Sequence, residues 1–212
     1  MNDPRQIWDQ RYGLGQASLA DNWLEHWGAA WLAHAHGQGY QALDIGCGNG
    51  HESAALLALG WQVTATEISP TALAAAEERN PAARHLLADV RTMPEIASAS
   101  MDLAVAHLSL HYFDQAGSLQ AFAEIARVLK PGGLLLGSVN AEDDLNYGAP
   151  ADASGWEPVL VDGVPKQFFT SPKLLSCLRQ HYELLELRKS ISLRYGAPKS
   201  VWDFAARRLP PT

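Results

Sequence analysis

Short apolar runs alternate with longer amphipathic ones along most of the chain, the pattern of βα units feeding a parallel sheet. Gln41 to Ile45 reads as the first strand, followed by a glycine turn and a helix from about Gly50 to Leu59 that Gly60 closes. A second strand, Trp61 to Glu67, alternates Val63, Ala65 and Glu67 and ends on an acid. Ser69-Pro70 opens the next helix, with serine as N-cap and proline at the first helical position. Arg84 to Ala88 is the third strand, and Met101 to Leu108 the fourth, a near-continuous apolar run of the kind buried on both sheet faces. A helix from about Ser118 to Leu129 stops at Lys130-Pro131-Gly132-Gly133 before a fifth strand, Leu134 to Val139. Ser171-Pro172 opens a last helix to about His181. Tyr182 to Leu193 and Lys199 to Arg207 then read as two strands whose short Tyr195-Gly196-Ala197-Pro198 connection requires antiparallel pairing.

Two segments stand apart from this alternation. Ser18 to His36 reads as a helix, with Trp23, Trp27 and Trp31 at i, i+4 and i+8 forming a face packed on the core. Asn140 to Lys166 shows no sustained periodicity and several turn formers, and reads as a long loop or insertion. Loops of that length in compact domains are uncommon and usually functional or disordered.

A length of 212 residues suits one domain, 1–212, with a substantial core, and 47% hydrophobic residues exclude an acidic disordered tail. The formal net charge is −7, and it is uneven: 10 basic and 22 acidic residues precede Arg188, against 6 and 1 from there on. An acidic body is a poor match for a phosphate-tracking protein, so no nucleic acid partner is expected. The basic end, Arg188, Lys189, Arg194, Lys199, Arg207 and Arg208, reads as strand side chains directed to solvent, and Glu142-Asp143-Asp144 as a solvated acidic turn. Cys47 and Cys177 have no CxxC spacing, which argues against a zinc site or a disulfide framework. With no apolar leader in the first residues and no membrane-length apolar run, a cytoplasmic location and no membrane partner are the expectations; the sequence leaves the oligomeric state open.

Asp44-Ile45-Gly46-Cys47-Gly48-Asn49-Gly50 is a D-x-G-x-G-x-G turn between a predicted strand and helix, where the backbone can approach a ligand beside unpaired helix N–H groups. The dinucleotide fingerprint G-x-G-x-x-G fails in both registers, at His51 and at Ser53. Asp44 at the loop mouth repels a pyrophosphate but suits a ligand carrying an ammonium and a sulfonium. Glu67 ends the second strand, where a carboxylate can accept from both ribose hydroxyls. Asp89, after the third strand, can accept from an adenine amine while the Val90 backbone meets the ring edge. The carboxyl ends of neighbouring parallel strands line one crevice, so these three acids converge there.

With these motifs the chain resembles the class I S-adenosylmethionine-dependent methyltransferases of small-molecule type. The resemblance runs from Trp8 to the last strand and rests on Asp44-Ile-Gly-Cys-Gly-Asn-Gly, Thr66-Glu67-Ile68-Ser69, Ala88-Asp89-Val90, Met101-Asp102-Leu103 and Leu129-Lys130-Pro131-Gly132-Gly133-Leu134. Trp8-Asp9-Gln10-Arg11-Tyr12 is similar to a family lead that closes over the cofactor, which makes residues 1–40 a lid. The resemblance implies a Rossmann-like doubly wound α/β sheet of seven strands, order 3-2-1-4-5-7-6, with strand 7 antiparallel. It implies S-adenosylmethionine as cofactor, contacted by Trp8, Tyr12, Asp44, Gly46, Cys47, Gly48, Gly50, Glu67, Ile68, Asp89, Val90 and His107.

Methyl transfer from a sulfonium expels a neutral thioether, so positioning and water exclusion dominate, and a base is needed only for a protonated nucleophile. His111 and Tyr112, after strand four, are the candidates to orient or deprotonate a small-molecule acceptor. His107 and His111 lie four apart, but no third ligand is evident and no metal is expected. Asn140, Asp143, Asp144, Tyr147, Trp156 and Phe168-Phe169 mark 140–169 as the acceptor-site insertion. The rival readings are a nicotinamide-dependent oxidoreductase on a similar sheet and a non-catalytic cofactor-binding module.

Overall fold

The computed structural model describes residues 4–15, 23–27, 40–193 and 196–211. Nine strands are defined among them: β1 Gln41–Ile45, β2 Gln62–Glu67, β3 Arg84–Leu87, β4 Met101–His107, β5 Leu129–Asn140, β6 Val159–Val161, β7 Val164–Lys166, β8 Tyr182–Ser192 and β9 Lys199–Arg208. Seven of these form one sheet in the order β3-β2-β1-β4-β5-β9-β8, while β6 and β7 make a separate hairpin. The first five are parallel, and β9 runs antiparallel to both β5 and β8. With the hairpin set aside, this is the predicted 3-2-1-4-5-7-6 order. The order reverses between β1 and β4, and that switch point places a ligand crevice at the carboxyl ends of the central strands.

Side-chain alternation builds a core on each face. Leu43 and Ile45 of β1, Ala104 and Ala106 of β4, and Leu135 and Val139 of β5 face Phe122, Ile125, Leu174 and Phe204. Ala42, Leu103, Val105, Leu134 and Leu136 face Leu56, Trp61, Trp23 and Trp27. Trp23 and Trp27 belong to the core as expected, Trp23 within the short helix α2, Trp23–His26; Trp31, most of the predicted 18–36 helix and Tyr195 of the predicted β8–β9 connection lie outside the described residues. The buried Asp102 on β4 is matched by Lys130 at 2.7 Å and by the Gln41 N–H at 2.9 Å.

Besides α1, Pro4–Gly13, the helices are α3 His51–Ala58, α4 Pro70–Arg79, α5 Gln115–Val128 and α6 Ser171–Leu178. Three begin on a side-chain cap: Ser69 accepts from Ala72 N, Asp114 from Gly117 N and Thr170 from Lys173 N. The Asp114 cap starts α5 three residues before the predicted Ser118. β5 begins at Leu129 rather than Leu134, because Leu129 pairs with Met101 across a local irregularity in the ladder. The predicted 140–166 loop is corrected: it holds a 3₁₀ turn, Leu145–Tyr147, and the β6–β7 hairpin, whose three-residue strands are too short to show periodicity. No described helix is long and apolar enough to cross a membrane.

Candidate active site

The loops following β1, β2, β3 and β4, together with α1 and the β6–β7 hairpin, enclose a cavity of about 630 Å³, within the usual range for small-ligand sites. Gly46, Cys47 and Gly48 line it. Gly46 has φ +64, and a Cβ there meets the Ser109 Cβ at 2.6 Å, so both backbone and space demand glycine. Gly50 does not reach the cavity: it caps α3 with φ +81 and its carbonyl accepts from Asn80 Nδ2 at 2.7 Å. The Cys47 thiol is held well above its ordinary pKa, by burial first and then by the charges of Asp44, Glu67 and Glu52, and stays neutral.

Glu67 stitches β2 to the glycine loop. Its Oε1 accepts from the backbone N–H groups of Ile68 (2.7 Å) and Ser69 (2.9 Å), and its Oε2 from that of Gly48 (3.0 Å). Burial raises its pKa in spite of these three bonds. Asp44, in contrast to the expectation from sequence, is not at the mouth. It is 2% exposed and turns beneath the loop to accept from Ser53 Oγ at 2.6 Å. Burial, then repulsion from Glu52, pushes its carboxyl up to about 8.

A second carboxylate lining the cavity on this side, beside Glu67, is Glu52 in the first turn of α3. Its Oε1 lies 2.6 Å from His107 Nδ1, and the His107 ring stacks on Trp23 at 4.5 Å with a 5° interplanar angle. Sequence reasoning missed Glu52, because a lone acid two residues after the last glycine has no spacing signature and its partner is 55 positions away. Among the described residues no group of three or more His, Cys, Asp or Glu is arranged to hold a metal ion.

On the β2–β3 side, Ile68, Asp89 and Val90 line the cavity. Arg91 engages both oxygens of Asp89, Nη2 to Oδ2 at 2.6 Å and Nε to Oδ1 at 3.0 Å, and lies 5.1 Å from the Phe113 ring centroid. Burial pushes the Asp89 carboxyl up, but the Arg91 hydrogen bonds and charge, with Arg5, bring it below its ordinary value. Trp8 and Tyr12 of α1 also line the cavity, and Trp8 meets Tyr112 edge-on at 4.9 Å. Asp9 fastens α1 down, accepting from Ser69 Oγ (3.0 Å) and Thr71 N (2.9 Å) at the start of α4.

Beyond β4, Leu108 adopts φ 57, a strained value for a leucine, in the turn that leads to Ser109, His111 and Tyr112. His111 is 2% exposed, and its Nδ1 has no hydrogen-bond partner among the described residues. Burial, with Lys199, Lys166 and His107 adding to it, holds the imidazole well below its ordinary pKa and therefore neutral.

The insertion is redistributed relative to expectation. Of the seven residues expected to mark that site, Tyr147 alone lines the cavity; Phe168 and Phe169 are core, Trp156 packs edge-on against Phe169 at 6.0 Å, and Asn140 is fully buried. The hairpin supplies Asp162, Val164, Pro165 and Lys166 instead. The acidic turn is solvated only in part: Asp143 is exposed, but Asp144 is 1% exposed and pairs with Lys199 at 2.9 Å, and Lys189 lies 2.9 Å from Glu142 and from Asp143. Lys199 is accordingly buried at the cavity wall rather than in solvent. The other end of that basic stretch is also engaged, Arg188 lying 4.5 Å from the Trp27 ring centroid and Arg207 pairing with Glu183 at 3.1 Å.

A doubly wound sheet with this one antiparallel strand, and a glycine-loop cavity at its switch point ringed by strand-end acids, defines the class I methyltransferase architecture. Residues 43–137 match the family described as a methyltransferase domain. The chain is 31% identical over 173 residues to the malonyl-[acyl-carrier protein] O-methyltransferase of Enterobacter lignolyticus, covering 80% of this chain and 66% of that protein. It is 34% identical over 115 residues to the protein of the same name from Pectobacterium atrosepticum, covering 54% of this chain and 44% of that one. The chain thus spans from under half to about two thirds of the length of these curated relatives. Among solved structures, it resembles the Burkholderia thailandensis 1,6-didemethyltoxoflavin-N1-methyltransferase bound to its namesake ligand and S-adenosylhomocysteine. That match has a TM-score of 0.71 at 23% identity, and covers 97% of this chain and 87% of that one. The matched domain and these relatives make the chain a class I S-adenosylmethionine-dependent methyltransferase, with S-adenosylmethionine as cofactor.

Proposed function

We propose that this chain transfers the methyl group of S-adenosylmethionine to a small-molecule acceptor. In this reading residues 1–212 act as one domain, with 1–40 as lid and 140–169 as the acceptor-side insertion. The observation that carries it is the division of one cavity into two ends. Glu52 and Glu67, with Asp44 behind them, lie on the β1–β2 side, while His111, Tyr112, Tyr147 and the β6–β7 hairpin lie on the other. The first end suits a cationic nucleoside with an ammonium and a ribose, and a dinucleotide's pyrophosphate would meet buried carboxylates there.

When bound, S-adenosylmethionine supplies a methyl on a sulfonium whose departure leaves a neutral thioether. Glu52, oriented by His107, and the Gly46–Gly48 backbone receive the ammonium side. Glu67 offers its remaining lone pairs to the ribose, and Ile68, Asp89 and Val90 face the base. Trp8 and Tyr12 exclude water, which strengthens every electrostatic contact inside. His111 and Tyr112 hold the acceptor in line, the kind of positioning worth up to roughly 7–11 kcal/mol of barrier. The suppressed basicity of His111 fits orientation better than proton abstraction, and so favours a nucleophile that enters without a proton to lose.

The test is transfer of radiolabelled methyl from S-adenosylmethionine into a metabolite extract separated into small-molecule and macromolecular fractions. Label is expected in the small-molecule fraction, and Glu67→Ala should abolish it. Label confined to the protein fraction would instead indicate an acceptor borne on a carrier, as in the names of the relatives. No transfer to either fraction, from a protein that binds the cofactor, would leave a binding module.

A further inference from the structure

One row of the sheet interrupts the apolar face that carries Trp23 and Trp27. Val105, Leu136 and Ala205 pair in register across β4, β5 and β9 and belong to the core on that face. Alternation returns the same face two positions along each strand. There the row reads His107, Ser138 and Asp203, and continues to Arg188 on β8, each in register with its neighbour. Polar side chains thus stand side by side from the cavity wall, which His107 lines, to the edge strand of the sheet. Polar groups buried against an apolar face are unfavourable unless each is given a partner.

Their contacts link up. Asp203 is 3% exposed; its Oδ1 accepts from the Trp23 indole N–H at 2.8 Å, and its Oδ2 lies 3.7 Å from Arg188 Nε. Trp23, fixed at its N–H, lies flat on the His107 imidazole, with centroids 4.5 Å apart and planes within 5° of parallel. His107 Nδ1 lies 2.6 Å from Glu52 Oε1. An ionised Glu52 accepts there from Nδ1–H, which fixes the tautomer of His107. A ring held on its face by stacking and at its edge by a hydrogen bond cannot turn, so the plane of His107 is set from β9, two strands away in the sheet. A glutamate is rich in rotamers and holds a cation well only when its aim is fixed beforehand.

Resting on the methyltransferase reading above, with Glu52 receiving the ammonium, we infer that Trp23 and Asp203 are positioning residues of the cofactor site. Asp203 holds the Trp23 ring, the ring holds the His107 plane, and His107 aims Glu52 at the α-ammonium of S-adenosylmethionine. Trp23 does not line the cavity, so α2 serves the site without touching the ligand. The effect is confined to the amino-acid end, because Glu67 and Asp89 are held by other groups, the Gly48 N–H and Arg91 among them.

The experiment is calorimetric titration of the full chain with S-adenosylhomocysteine, with its analogue carrying hydrogen in place of the α-amino group, and with 5′-methylthioadenosine, which lacks the amino-acid part. The wild type is expected to prefer S-adenosylhomocysteine over the deaminated analogue by about tenfold or more, the ratio that one well-aimed charge contact of about 1.4 kcal/mol gives. Asp203→Ala and Trp23→Leu should each lose most of that preference at unchanged 5′-methylthioadenosine affinity, which also reports that they fold. Asp203→Asn, which keeps an oxygen for the indole N–H, should retain it. Glu52→Gln should remove the preference as well, and adding Asp203→Ala to it should lower the preference no further. Should Trp23→Leu fail to fold, Asp203→Ala, which leaves both rings in place, decides the matter. Variants that weaken all three ligands alike, or that keep the preference, would overturn the inference and leave Trp23 and Asp203 as core packing. A wild type with no preference would remove Glu52 as the ammonium receiver, and the inference with it, while leaving the methyltransferase reading intact; a wild type that binds neither S-adenosylhomocysteine nor 5′-methylthioadenosine would sink that reading itself.

Discussion

Asp44 combines almost complete burial with two carboxyl neighbours, Glu52 and Glu67, and with a hydroxyl partner in Ser53 that donates one bond. Its folded pKa of about 8 exceeds the ordinary value of 3.8, so the folded state holds the proton more tightly than the unfolded chain. The stabilisation from the neutral carboxyl is complete below the unfolded value and is lost as pH rises through about 8. Asp44→Asn, which keeps an acceptor for Ser53, should therefore gain stability relative to the wild type as pH is raised from about 4 to 8. A cationic ligand pulls the other way, favouring the carboxylate. Binding of S-adenosylmethionine at pH 7 should release protons, seen as a calorimetric enthalpy that varies with buffer ionisation heat. Asp44→Asn should remove most of that release, and an unchanged proton count would show that the cluster does not couple to the ligand. The presence of an acid at this position was legible in the sequence; its withdrawal behind the loop was not, because it depends on Ser53 and on a Glu52–His107 pair formed across the fold.

Elements place these residues, and the helix caps show how local chemistry decides where each element starts. Ser69-Pro70 was readable as a cap and is one. Asp114 was not singled out, and the start of α5 was correspondingly predicted late. The insertion was least legible, since β6 and β7 bury little, and the salt links from Glu142, Asp143 and Asp144 to Lys189 and Lys199 span dozens of residues. The local pattern therefore read as solvated two charge runs that pair with each other in part, through Lys189 and Lys199. At this scale α1 offers a clean test, because Asp9 is a polar tether from it to the start of α4. Asp9→Ala should weaken S-adenosylhomocysteine binding several-fold and quicken proteolysis within α1, with little change in melting temperature. Equal affinity and equal cleavage would mean that α1 is not a lid.

For the whole molecule, the parallel order β3-β2-β1-β4-β5 followed a sequence pattern of buried strands and amphipathic helices, and the antiparallel β9 followed from a short connection. The charge asymmetry between the acidic body and basic end has a different meaning once folded. Acids gather under the glycine loop, and part of the basic end returns through Lys199 to the opposite side of the same cavity. The central claim is that this cavity is built for a cationic adenosyl cofactor rather than for a dinucleotide. Thermal unfolding with S-adenosylhomocysteine and, separately, with NAD tests it most directly. At 100 times its dissociation constant a ligand specific for the folded state stabilises by about 2.7 kcal/mol, which for a chain of this size raises the melting temperature by roughly 5–11 °C. S-adenosylhomocysteine should produce that shift and NAD none; a shift with NAD alone would contradict the account.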